Sequence, residues 1–367
     1  MALSIVINGK FLRAPPTGVH RVAAELANAL ADLKAEGHVS ATGMNISLWI
    51  SKDAEERARD IRLPQRAIPF LSGIPWEQLT LPMHQGGSML VNLCNIGPIL
   101  SRNAVTMIHD VQVHISPQSY AMPFRLWYRF VQPIFARRHK LILTVSEFSK
   151  QEIVRVGLCA AKKVKVVHNG VDHILREPAV PTVLGKLALV PQRFVVALST
   201  TQIHKNIAIL LKAFARPEMA DLTLVLFGGT SRKAFDAAAI AVPPNVKFSG
   251  RISDGEMRAL MEQALCIAFP STTEGFGLPP LEAMLLGCPA IVAPCGALPE
   301  VCGDAALYAD PFDDSDWSEK IRAIADSSEV RMRLCVAGKQ QAQQFTWRSA
   351  AIILANAISS VSRAQHS

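Results

Sequence analysis

The sequence predicts an α/β protein of two doubly wound domains, each an open, mostly parallel sheet with helices on its faces. Length carries the first part of this: 367 residues, half of them hydrophobic, supply two cores. Rhythm carries the second, because short apolar runs alternate with helical ones along both halves, as βαβ units require. Punctuation carries the third. Residues 176–192 hold three prolines and no hydrophobic period, and are expected to link residues 1–175 to residues 193–346.

In the first half, apolar runs predict strands at Leu3–Ile7, Ile46–Ile50, Met89–Asn92, Val105–Ile108, Leu141–Val145 and Val164–Val167. Helices are expected at Val22–Leu33, which is amphipathic, and at Ser146–Val156. In the second half, strands at Phe194–Leu198, Leu222–Phe227, Val246–Phe248, Leu265–Phe269 and Ala290–Ala293 alternate with helices at Ile207–Phe214, Asp254–Gln263 and Leu281–Leu286. Trp347–Val361 closes the chain as a helix.

Charge is unevenly placed. The net +8 lies wholly in residues 1–180, which hold 21 Lys and Arg against 13 Asp and Glu. A one-sided basic domain can face nucleic acid, an anionic membrane or an anionic substrate. No zinc-finger, helix-turn-helix or ribonucleoprotein pattern accompanies it, so a nucleic-acid partner is not expected. Within Phe124–Lys140, bulky and cationic residues interleave, and on a helix Phe124, Trp127, Val131 and Phe135 share one side. That side reads either as core packing or as a patch for an anionic membrane surface. No apolar run approaches the roughly 20 residues that span a bilayer, and Met1–Ile7 lacks the marks of a signal peptide. A cytoplasmic location is expected, with peripheral contact to the inner face of the cell membrane as its extension. The seven cysteines form no CxxC pair and no zinc spacing, and read as reduced, buried thiols.

The densest chemistry lies in Phe269–Met284. Two carboxylates, Glu274 and Glu282, flank the turn Gly275-Phe276-Gly277-Leu278 between a strand and a helix that Pro280 opens and Gly287 closes. Free N–H groups and the positive dipole end at such a helix start attract phosphate, and Gly275 and Gly277 let the main chain approach it. A diphosphate fits there without a metal. Glu274 falls in the loop and Glu282 within about the first turn of the helix, so both can face one crevice. Each part alone has an ordinary explanation, since an acidic residue early in a helix is favoured by the dipole. Together, two hydroxyl-binding carboxylates beside a phosphate site point to a sugar nucleotide.

The segment resembles the Glu-x7-Glu motif of the retaining glycosyltransferases of family 4, which have the GT-B fold. The likeness includes the Gly-Phe-Gly-Leu turn, the Pro-Leu-Glu-Ala-Met helix start and the Gly-Cys-Pro-Ala-Ile-Val exit. Thr17–Arg21, Met107–Asp110, Thr144–Ser149, His168–Asp172, His204–Asn206, Gly296–Glu300 and Thr346-Trp347 follow in the family's order, so the resemblance covers most of the chain.

The resemblance implies two Rossmann-like domains facing across a deep cleft, with residues 347–367 crossing back to the amino-terminal, acceptor-side domain. It implies transfer of a hexose from GDP-mannose or UDP-glucose to a saccharide or polyprenyl-diphosphate-linked acceptor, in surface polysaccharide or glycolipid synthesis. No cofactor and no metal are expected. Lys205 would face the departing diphosphate, Gly18 would approach it, and His109 would stand near the acceptor hydroxyl and the transferred sugar. Glu274 would orient the sugar hydroxyls, Glu282 would bind the ribose, and Arg251 and Ile252 would meet the base. Thr200, Gly275, Phe276, Gly277 and Leu278 would line the same donor site. The family often has Arg where His204 stands, and some members place a diphosphate-binding Arg at the position of Ser199. Fewer permanent charges therefore face the leaving group here. The residues also admit a GT-B epimerase or hydrolase, or a sugar-nucleotide-binding protein without catalysis.

Overall fold

The computed structural model describes residues 2–13 and 17–363. The chain divides into two compact units, Met1–Gly170 with Thr346–Ser367, and Val171–Phe345.

Among the described residues, the first unit has seven strands: β1 (Leu3–Asn8), β2 (Met44–Ile50), β3 (Gln65–Ala67), β4 (Met89–Asn92), β5 (Ala104–Met107), β6 (Leu141–Thr144) and β7 (Val164–Val166). They are parallel and ordered β3-β2-β1-β4-β5-β6-β7. β4, β5 and β6 are buried at every position, which is why their runs show no apolar–polar alternation. The helix Gly18–Ala35 buries Val22, Leu26, Leu30 and Leu33, one stripe at helical spacing. Against it packs the last helix, Trp347–Arg363, through buried Ala351, Leu354 and Ile358. Gly170 fixes where that helix begins: a Cβ there would lie 2.2 Å from the Trp347 nitrogen, so only glycine lets the two backbones pass.

The second unit has six described strands: β8 (Phe194–Leu198), β9 (Thr223–Phe227), β10 (Val246–Gly250), β11 (Cys266–Phe269), β12 (Ala290–Val292) and β13 (Leu307–Tyr308). They too are parallel, ordered β10-β9-β8-β11-β12-β13. Its core gathers Leu210, Phe214, Leu224, Phe235, Ile291 and Trp317, whose indole N–H donates to the Asp310 carbonyl at 2.8 Å.

One expectation changes and one open alternative is decided. Residues 176–192, expected as a linker, fold with the second unit, where Thr182–Lys186 is helical. Val180 N–H donates to the Gly255 carbonyl at 2.9 Å, and Arg258 donates to the Leu175 and Glu177 carbonyls, each at 3.0 Å. The prolines shape turns against the helix Asp254–Gln263 rather than a spacer, and the chain passes between units at Gly170/Val171 and Phe345/Thr346. In the helix Met122–Arg138, the shared side of Val131 and Phe135 is core, with Trp127 packed on it, while Phe124 is 40% exposed. The exposed apolar residues are instead Met122, Leu126 and Phe130, and Arg125 is half-buried. Among the described residues no helix is long and apolar enough to cross a membrane. The cysteines are unpaired and buried or half-buried, and burial holds the Cys302 thiol up at about 12.

Candidate functional site

In a doubly wound sheet the loops at the carboxyl ends of two neighbouring strands separate where the strand order reverses, leaving room for a ligand. In the second unit that point is β8 beside β11, paired Val195 to Cys266 and Val196 to Ile267. Lys205 lies in the loop after β8 and Glu274 in the loop after β11. Their side chains meet, Lys205 Nζ to Glu274 Oε1 at 2.6 Å, with 20% and 12% of each exposed. The ammonium also stands 5.8 Å from the Phe269 ring centre.

Local chemistry fixes both partners. Lys205 ends a 3₁₀ turn, Ile203–Lys205, and Asn206 follows in the left-handed region at φ 55°, its side chain donating to the Pro311 carbonyl at 2.7 Å. The two loops are stitched by Thr272, whose N–H and hydroxyl donate to the His204 carbonyl at 2.8 and 3.2 Å. Glu274 is held from behind by Ala297 N–H, which donates to its carbonyl at 3.0 Å. Gly296, at φ 62°, permits this approach, because a Cβ there would sit 2.5 Å from the Glu274 nitrogen.

Gly277 caps the helix Leu278–Leu285 at φ 103°, so Pro279 and Pro280 take the second and third helical positions rather than Pro280 the first. No N–H is lost, since the first turn has no internal acceptors. Phe276 is buried, its ring edge-on to Phe345 with centres 5.7 Å apart. Glu282 meets His173 Nε2 at 3.1 Å, with 13% and 3% of the side chains exposed. His173 is a contact the sequence reading missed: nothing local marks a residue whose partner lies on a distant helix.

The remaining second-unit positions are more peripheral. Thr200 Oγ1 accepts from Gln202 N–H at 3.1 Å, and Ser199 Oγ donates to the Thr230 carbonyl at 2.6 Å. Arg251 is exposed beside Gly229 at the end of β10, and Ile252 is half-buried. The Asp313–Asp316 cluster serves a helix start: Asp313 accepts from Ser315 N–H at 2.9 Å and Asp316 from Asp310 N–H at 2.8 Å. Among the described residues no group of three or more His, Cys, Asp or Glu is placed to hold a metal ion.

His109 and Gly18 belong to the first unit. His109 follows β5 and is clamped at its backbone, its N–H donating to Asn95 Oδ1 at 2.7 Å and its carbonyl accepting from Ser149 Oγ at 3.0 Å. Its Nε2 lies 2.8 Å from the Leu93 carbonyl. A carbonyl only accepts, so Nε2 carries the hydrogen and Nδ1 keeps its lone pair. Gly18 is the first residue of its helix after the extended Thr17, and a Cβ there would meet nothing within 4 Å.

Residues 186–341 match the family model for glycosyl transferases group 1, and residues 16–174 match that for glycosyltransferase family 4. The chain is similar to O-antigen chain mannosyltransferase B of Escherichia coli, 33% identical over 261 residues that make up 67% of each protein. It is similar also to O-antigen chain mannosyltransferase RfbU of Salmonella typhimurium, 27% identical over 256 residues, 68% of each. Its fold is similar to that of Anabaena Alr3699/HepE in complex with UDP and glucose, with a TM-score of 0.70 at 18% identity, covering 99% of this chain and 100% of that one.

Burial, the largest cause, pushes both His109 and the nearby core ring His139 from 6.5 down to about 4. His139 has Nδ1 2.8 Å from Thr106 Oγ1 and Nε2 3.0 Å from the Pro98 carbonyl, and burial keeps the ring neutral although the Pro98 contact favours its charged form. The unfolded chain protonates these rings near 6.5 and the folded chain only near 4, so the stability they support is complete above about pH 6.5 and is lost as pH falls through about 4. The melting temperature is therefore expected to fall already between about pH 6.5 and 5, above most carboxylate titrations. A melting temperature flat across that window, measured by thermal unfolding, contradicts the neutral rings.

Proposed function

The chain belongs to glycosyltransferase family 4, and on that premise we propose that it moves a hexose, mannose before glucose, from a nucleotide diphosphate sugar to a saccharide or polyprenyl-diphosphate-linked acceptor with retention of configuration. The observation that carries this reading is the 2.6 Å Lys205–Glu274 pair at the switch point of the second unit. A cation and a carboxylate side by side match a substrate whose reacting carbon joins a diphosphate to a polyhydroxylated ring. The mannosyltransferase relatives favour mannose, and the UDP- and glucose-bound fold relative keeps UDP-glucose as the second donor.

Donor binding divides the pair. The diphosphate takes the Lys205 ammonium, and the sugar hydroxyls donate to Glu274. The bond from the anomeric carbon to the diphosphate oxygen breaks, the acceptor oxygen bonds to that carbon on the same face, and the acceptor's proton passes to the departing diphosphate. Fixed positive charge at the leaving group lowers the barrier most, because that is where negative charge develops. Glu282, held by His173, binds the ribose hydroxyls, and Arg251 with Ile252 meets the base. His109 Nδ1 keeps the lone pair with which it accepts from a sugar hydroxyl. The N–H groups along Gly275–Leu278 face the diphosphate, with Thr200 beside them, and the helix start at Gly18 suits an anionic group. Lys205 and these amides replace a divalent ion, so transfer is metal-independent.

Lys205→Ala is expected to lower transfer about 10²-fold, roughly 3 kcal/mol, without unfolding the chain, and the wild type should keep full activity in excess EDTA. Near-wild-type turnover of the variant at saturating donor would remove Lys205 from the leaving group. Activity lost in EDTA and restored by Mn²⁺ would remove metal independence.

The acceptor's lipid gives the helix Met122–Arg138 its role: exposed Leu126 and Phe130 lie beside exposed Arg129, Arg137 and Arg138, a composition that suits the inner, anionic face of a membrane. At about 1 kcal/mol per cation, replacing these three arginines by Gln should release the protein from anionic vesicles at low salt. Equal sedimentation of variant and wild type would make this helix face merely solvated.

A further inference from the structure

The first unit has a switch point of its own, between β1 and β4, where Ile5–Ile7 pair with Met89–Val91. Beyond the carboxyl ends of these strands lies a recess of about 210 Å³ lined by Asn8, Lys10, Glu77, Leu93, Cys94 and Tyr128 together with the rim residues around them. Such positions are where ligands bind in sheets of this kind.

The floor of the recess is polar, buried and already assembled. The Glu77 side chain is 4% exposed; its Oε2 takes Lys10 Nζ at 2.5 Å and its Oε1 accepts from Asn8 Nδ2 at 3.0 Å. Asn8 Nδ2 also donates to Asn92 Oδ1 at 2.9 Å, Asn92 Nδ2 donates to Thr106 Oγ1 at 2.9 Å, and Thr106 meets His139. Asn8 Oδ1 accepts from Lys10 N–H at 3.1 Å. The network fixes every amide, so the carboxylate and ammonium cannot turn away. A buried ion pair of this sort is seldom more stable than apolar side chains of the same shape, which makes packing a poor reason for it to stand in a recess.

Charge and size narrow the ligand. Lys10 is balanced by Glu77, and Arg13 on the rim pairs with Asp53 at 2.5 Å, so each lysine and arginine of the lining, which also holds His20, is already matched by a carboxylate. A volume of 210 Å³ falls below the roughly 300–1,000 Å³ of pockets that enclose drug-sized ligands, too small for a nucleotide sugar. A carboxylate accepts up to about four hydrogen bonds and an ammonium donates three, so both can add partners. Adjacent hydroxyls, which donate and accept, satisfy such a pair, while the Tyr128 ring offers an apolar wall.

We propose that this recess binds the acceptor through one neutral pyranose ring, with two neighbouring hydroxyls on Glu77 and Lys10. The proposal rests on the glycosyltransferase reading and names the acceptor's recognised group. Glu77, Lys10 and Tyr128 then set acceptor specificity.

The test uses the full chain, with methyl α-D-mannopyranoside and methyl α-D-glucopyranoside as probes followed by ligand-observed NMR, and thermal stabilisation by nucleotide sugars measured in parallel. Wild type should bind a pyranoside, Glu77→Gln and Tyr128→Leu should each weaken it at least about tenfold, and stabilisation by nucleotide sugars should not change in either variant. Tyr128→Leu leaves the buried pair intact and carries the test if Glu77→Gln does not fold. Pyranoside binding unchanged in folded variants, no binding of either probe to wild type, or displacement of the probe by inorganic phosphate would each overturn the proposal. Absence of stabilisation by any nucleotide sugar would instead count against the donor reading, and the pyranoside arm would still decide the recess.

Discussion

The contact between Lys205 and Glu274 depends on almost everything else in the second unit. It needs β8 and β11 to be neighbours, so that two loops leave one point of the sheet together. It needs Asn206 in a left-handed conformation to end the lysine's turn, and Thr272 to tie the two loops. It needs Gly296 to admit the Glu274 backbone at a distance no Cβ allows. Each requirement is a backbone constraint, and the charges are its outcome. A substitution at Gly296 would displace the Glu274 backbone and with it the carboxylate that meets Lys205.

Both units place a lysine–glutamate pair at the switch point of their sheet, Lys205 with Glu274 and Lys10 with Glu77. The strands below are mostly apolar, and their buried polar residues Asn8, Asn92 and Thr106 are tolerated because their hydrogen bonds are completed. The pairs differ in what holds them. Lys205 and Glu274 stand on loops fixed by backbone contacts, whereas Glu77 is fixed by a side-chain bond from Asn8. His109 makes a third arrangement: burial keeps its ring neutral, and its bond to Leu93 decides which nitrogen keeps its lone pair.

How much of this was legible in the sequence follows the distance between partners along the chain. The strands and the Glu274–Gly277 turn were legible because each is a local pattern: an apolar run, glycines, then a proline-opened helix. Lys205 was legible through its His-Lys-Asn segment. His173 and the Asn8–Lys10–Glu77 floor were not, since pairing across distant elements leaves no periodic mark. The prolines of 176–192 read as a spacer because proline signals a turn without saying what the turn packs against. The Phe124–Lys140 helix stayed open between core and membrane surface because spacing puts Phe124, Trp127, Val131 and Phe135 on one side without saying what that side packs against.

The most direct test of the central claim compares two ligands on one variant: calorimetric affinity of the bare nucleoside diphosphate and of the nucleotide sugar for wild type and Glu274→Gln. If Lys205 serves the diphosphate and Glu274 the sugar, removing the carboxylate's charge frees the lysine. The variant should then hold the bare diphosphate at least as tightly as wild type does, while the nucleotide sugar loses affinity relative to it. Equal weakening of both ligands would mean that Lys205 and Glu274 do not divide the donor between them.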